Sequence, residues 1–126
     1  MNIVFFSVKD TAAKLRTLCD VASEHLHKGQ SLLILVPDAT VHVFVDELLW
    51  RLPEEGFLPH PSKLLWIDTE AKEATSLFNL RPIPFTEKIS YKTIYELEDH
   101  TSPERLQLSR KRYAAYRELS LSISEL

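Results

Sequence analysis

The sequence predicts an α/β fold, with helices on both faces of a mostly parallel or mixed sheet of about five strands in three α/β/α layers. Three observations predict it. Strand-like and helix-like segments alternate from the N-terminus, the pattern of β-α-β units. Leu32-Leu33-Ile34-Leu35-Val36 is an unbroken apolar run, which suits a strand buried on both faces of a parallel sheet. Helix start and stop residues stand at the joints between segments.

The elements follow in order. Ile3-Val4-Phe5-Phe6 is rich in strand formers. Asp10 supplies an N-cap for a first helix, in which Leu15, Leu18, Ala22 and Leu26 recur at helical spacing. Gly29 supplies the left-handed stop. After the apolar run, Asp38 caps a second helix whose core stripe is Val41, Val45, Leu48, Leu49 and Leu52. Pro53 ends it, because the residue before a proline avoids the helical region. Pro53, Gly56, Pro59 and Pro61 mark an irregular loop. A third strand is predicted over residues 63–67, with further strands over 76–80 and 89–97. Ser102-Pro103 opens a last helix that runs to about Leu119. Leu108, Ala115, Tyr116 and Leu119 form its expected core side. The order is Rossmann-like without a nucleotide-binding loop.

A chain of 126 residues is the length of one domain, here spanning 1–126, and holds a core without metals or disulfides. The single cysteine, Cys19, excludes an internal disulfide and a multi-cysteine zinc site. The N-terminus lacks the cationic segment of a signal peptide, and no apolar run approaches a membrane span. The expected location is the cytoplasm, with no membrane contact. A net charge of −3 argues against bulk attraction to nucleic acid. The charge is uneven, however: residues 101–126 carry five Lys/Arg against three Asp/Glu. An anionic partner is expected at that end.

Signatures of catalysis are mostly missing. With Gly29 and Gly56 as the only glycines, neither phosphate-cradling glycine-rich loop can be written. No nucleophile elbow or paired-histidine zinc motif is present, and the expectation is no cofactor, no metal and no catalytic residue. One pattern imitates a metal-dependent nuclease: Pro37-Asp38, followed by Glu70-Ala71-Lys72. Carboxylates would hold the metal and lysine would stabilise charge near the attacking water. A helix cap explains Asp38 equally, and Cys19 on the core stripe of the first helix reads as a small buried hydrophobe.

Two features call for partners. On the second helix Trp50 projects nearly opposite the core stripe, with Val43 one heptad earlier beside it. Phe57 follows in the proline-rich loop, and aromatics around prolines make a binding hot spot or a local cluster. On the last helix Leu106, Arg110, Tyr113 and Arg117 share one face. An apolar floor, a ring and two guanidinium groups suit a peptide with carboxylates and one apolar anchor. A solvated basic face would present the same pattern.

The same two regions resemble a known family. The run Asp46-Glu47-Leu48-Leu49-Trp50-Arg51-Leu52-Pro53-Glu54-Glu55-Gly56-Phe57-Leu58-Pro59-His60 is similar to the signature of the chi subunit of bacterial DNA polymerase III. Arg110-Lys111-Arg112-Tyr113-Ala114-Ala115-Tyr116-Arg117 resembles that family's C-terminal helix. The resemblance spans nearly the whole chain and is weakest over residues 68–88, where this chain looks shorter. It implies a non-catalytic accessory subunit of the clamp-loader assembly. By motif position, the acidic C-terminal tail of single-stranded DNA-binding protein would meet Arg110 and Tyr113, with Arg117 on the same face. Leu106 and Ala114 stand where the family carries lysine. The second implied surface holds Val43, Trp50, Pro53, Phe57 and Pro59, and its partner is the psi subunit or an iron–sulfur helicase. A small nuclease built on Asp38, Glu70 and Lys72, and a direct nucleic-acid binder using the basic last helix, are the alternatives.

Overall fold

The computed structural model describes residues 1–51 and 64–126. Its element order is β1 (Asn2–Val8), α1 (Thr11–Lys28), β2 (Leu32–Leu35), α2 (Ala39–Arg51), β3 (Leu65–Asp68), β4 (Ser76–Asn79), β5 (Thr93–Asp99), α3 (Pro103–Glu118) and β6 (Ser122–Glu125). The strands form one sheet in the order β3-β2-β4-β5-β1-β6, and every pairing is parallel.

The expected caps form. Asp10 Oδ1 accepts from Ala13 N at 2.7 Å, Asp38 Oδ1 from Val41 N at 2.9 Å and Ser102 Oγ from Arg105 N at 3.2 Å. Each satisfies a backbone donor that the first helical turn leaves without a partner. Gly29 ends α1 at φ 64°.

The sheet has two apolar faces, and β2 divides its residues between them. Leu32 and Ile34 join Leu18, Ala22, Val45, Leu48 and Leu49 under α1 and α2. Leu33 and Leu35 join Ile3, Phe5, Ile94 and Tyr116 under α3. All four residues of β2 are fully buried, which explains the unbroken apolar run. Chain direction explains the layers. From β1 to β2 and from β2 to β3 the chain moves toward one sheet edge, whereas from β5 to β6 it moves toward the other. Right-handed crossovers therefore put α1 and α2 on one face and α3 on the opposite face.

Three details depart from the sequence reading. Among the described residues the sheet has six strands, because residues 122–125 add β6 beside β1. That strand is short and mostly exposed, with only Ile123 half-buried, so its pattern is faint. The strand expected at 89–97 lies at Thr93–Asp99 instead. Its charged end hid it: Glu96 and Asp99 are buried and engage Arg112 and Lys14 at 2.9 and 2.6 Å.

The core side of α3 also differs. Its buried residues are Ser109, Arg112 and Tyr116, whereas Leu108 and Leu119 remain 38% and 55% exposed. Polar contacts orient this helix. Arg112 Nε donates to Glu96 Oε1, and Arg112 Nη2 donates to the Leu97 carbonyl at 3.0 Å. Tyr116 donates to Glu96 Oε2 at 2.6 Å, while Ser109 Oγ accepts from Asp99 N at 3.0 Å. Hydrophobic periodicity cannot register a face held by such bonds.

Candidate partner-binding surfaces

The outer face of α3 carries a shallow hollow lined by Pro103, Leu106, Gln107, Arg110, Lys111 and Ala114. Residues at i, i+4 and i+8 stack along one side of a helix, which brings Leu106, Arg110 and Ala114 together. Leu106 is half-buried and forms an apolar patch, while Arg110 and Lys111 are exposed. Among the described residues, no carboxylate forms an ion pair with Arg110, Lys111 or Arg117. These cations remain available to an anionic partner.

Tyr113 lies beside the hollow rather than in its lining. It is half-buried, with its ring centroid 5.4 Å from that of Phe5 and the planes tilted by 59°. The sheet thus fixes the ring's position. Arg117 is exposed one turn beyond Tyr113. Lys111 is a lining residue that the sequence reading did not single out. Its only signal was spacing, four residues after Gln107 and next to Arg110. It adds positive charge where Leu106 and Ala114 lack it.

Arg112 belongs to the same basic run but points inward. Its side chain is 8% exposed, and its guanidinium is paired with the fully buried Glu96. Burial pushes the Glu96 carboxyl up to about 7, against the opposing pull of Arg112, Tyr116 and Asn79. Burial, with Glu96 adjacent, also raises the Tyr116 hydroxyl far above its ordinary value. This network fixes α3 on the sheet and keeps the flanking Arg110 and Lys111 outside.

The second surface lies in the other helical layer. Val43 and Trp50 on α2 are 57% and 42% exposed, whereas Val45, Leu48 and Leu49 face the core. Phe44 is also exposed, at 50%. Pro53, Phe57 and Pro59 lie outside the described residues, as does Leu52. Because α2 and α3 cover opposite faces of the sheet, occupants of the two surfaces need not collide.

The nuclease-like residues leave adjacent strands at the same end, because Leu35 pairs with Asp68. Asp38 is engaged as the α2 cap, and Lys72 Nζ is bound to Asp68 Oδ2 at 2.7 Å. That bond holds the Asp68 carboxyl below its usual range. Among the described residues, no three His, Cys, Asp or Glu side chains are grouped to hold a metal ion. Cys19 is buried, and burial with nearby Asp20 pushes its thiol up to about 11, away from the reactive thiolate. No described helix is long and apolar enough to cross a membrane.

Comparison with known proteins agrees with the resemblance carried by the two motifs. The DNA polymerase III subunit chi of Escherichia coli (strain K12) is 28% identical over 129 aligned residues, which cover 88% of this chain and 83% of that protein. Residues 1–124 match the family described as DNA polymerase III chi subunit, HolC, and so the chain belongs to that family.

Proposed function

We propose that the protein is a non-catalytic adaptor of the replication machinery in the cytoplasm. It binds the acidic C-terminal tail of single-stranded DNA-binding protein on the outer face of α3. With its α2 surface it links that protein to a psi-like clamp-loader subunit or to an iron–sulfur helicase. The observation that carries this reading is the hollow joining Leu106, Arg110, Lys111 and Ala114, with the ring of Tyr113 beside it. A tail that ends in phenylalanine places its ring on the apolar patch. Its carboxylates then meet Arg110, Lys111 and Arg117, and guanidinium groups bind carboxylate through paired donors.

The partner on α2 uses Val43 and Trp50, continued by Pro53, Phe57 and Pro59 of the loop. Occupying both surfaces tethers the two machines and raises the local concentration of one at the other. Direct contact with nucleic acid is unnecessary, in keeping with a net charge of −3.

The test is a fluorescence anisotropy titration with a labelled tail peptide at low salt, where charge pairing is strongest. Saturable binding is expected. Arg110→Glu, or removal of the peptide's terminal phenylalanine, should weaken it about tenfold or more, equivalent to ~1.4 kcal/mol. Trp50→Ala should leave it unchanged. An affinity indifferent to Arg110→Glu would overturn the assignment of the tail to this face.

A further inference from the structure

A crevice of about 470 Å³ opens at the carboxyl ends of β2 and β4, apart from the hollow on the outer face of α3. Topology explains it. The two strands are neighbours, but the chain leaving β2 enters α2 on one face of the sheet. The chain leaving β4 passes under the opposite layer, where Phe85 and Tyr91 pack. Connections that part in this way open a gap at the strand ends, the usual ligand position in open α/β sheets.

The lining defines the ligand. Val41 and Phe44 form an apolar wall on α2, facing Leu80 and the α3 residue Leu108. Four cations, Lys14, Arg81, Arg105 and Arg112, stand around them. Lys14 and Arg112 are engaged with Asp99 and Glu96. Arg105 has no carboxylate partner among the described residues, and its guanidinium reaches only Thr101 Oγ1, at 3.4 Å. Arg81 bonds Glu87 through Nη2 at 3.0 Å, yet its Nε is buried with no acceptor among the described residues. A buried donor left without an acceptor is unfavourable.

Phosphate is a poor match. The crevice has no glycine loop, and the amino end of α2 beside it is already capped by Asp38. The crevice is also half open, with Phe44 50% and Leu108 38% exposed, whereas free small molecules are usually largely enclosed. An open trough with apolar walls and cations at its rim suits a passing peptide.

We propose that this crevice docks a segment of a partner protein, seating a large apolar side chain between Phe44 and Leu108 and its neighbouring carboxylate on Arg105 and Arg81. The site is independent of the hollow on the outer face of α3 and does not rest on the proposed tail binding.

The test is an amide chemical-shift titration of the full chain with a blocked peptide of sequence aspartate–leucine–phenylalanine–aspartate, acetylated and amidated. Saturable shifts are expected at Val41, Phe44, Leu80 and Leu108, with Gln107 and Lys111 unmoved. Phe44→Ser and Arg105→Glu, both at exposed positions, should each weaken binding at least about tenfold without disturbing the rest of the spectrum. Several outcomes overturn the proposal. They are shifts confined to the outer face of α3, no saturation, and equal binding of the peptide with asparagine for aspartate. Equal binding of free 3-phenylpropionate would overturn the peptide assignment in favour of a small carboxylate.

Discussion

Arg112 shows how much one side chain's direction decides. It lies between Lys111 and Tyr113 in a run that reads as uniformly basic, yet it alone of Arg110, Lys111 and Arg112 is buried. Among the described residues it donates to Glu96, to Ser109 Oγ and to the Pro82 and Leu97 carbonyls, and Glu96 in turn accepts from Asn79 and Tyr116. Removing one member of a buried ion pair strands the other charge, at a cost of about 3–5 kcal/mol. That is a large part of a small domain's stability, about 5–15 kcal/mol. Arg112→Ala should therefore lower the urea midpoint steeply or prevent folding. The double variant Glu96→Leu/Arg112→Met removes both charges and should be clearly more stable than Arg112→Ala. If both variants unfold at the same midpoint, the stranded charge is not what makes the single change costly.

At the scale of elements, the helix ends were legible and the helix faces only partly so. Asp10, Gly29, Asp38 and Ser102 mark helix ends, because caps are local chemistry between a side chain and backbone a few residues away. Gly29 shows the cause in isolation. Its φ is 64°, and a Cβ added there would meet nothing within 4 Å. Gly29→Ala should cost about 1–2 kcal/mol through left-handed backbone strain alone, measured by urea denaturation. On α2 the stripe Val45, Leu48 and Leu49 packs inward as its spacing indicates, and Trp50 stands outside it. On α3 the apolar residues are scattered around the axis. Its inward face is polar, so the expected core side was displaced toward Leu108 and Leu119.

Across the molecule, the sheet is closed on one side by a strand from the far end of the chain. Leu126 N donates to the Phe5 carbonyl at 2.8 Å, and Ser7 N donates to the Leu126 carbonyl at 3.0 Å. Deleting residues 120–126 would strip these bonds and bare the edge of β1, and exposed strand edges pair with other chains. The truncated protein should unfold at lower urea and self-associate with rising concentration in analytical ultracentrifugation. A monomer of unchanged stability would show that β6 contributes no more than cover. The same layered plan places the α2 and α3 surfaces on opposite sides, the arrangement an adaptor with two occupants needs.

The sequence by itself determined the α/β class, the helix ends, the burial of β2 on both faces and the two motifs that mark the family. These rest on local periodicity, capping chemistry and residue runs, all of which act within a few positions of the chain. Tertiary structure alone decided that Arg112 turns inward while Lys111 joins the hollow, that residues 122–125 complete the sheet, and that a crevice opens between β2 and β4. Each depends on partners far away in sequence: Glu96 for Arg112, β1 for β6, and two departing connections for the crevice. Long-range pairing leaves little local trace, and buried polar contacts leave less, because hydrophobic patterning is blind to them.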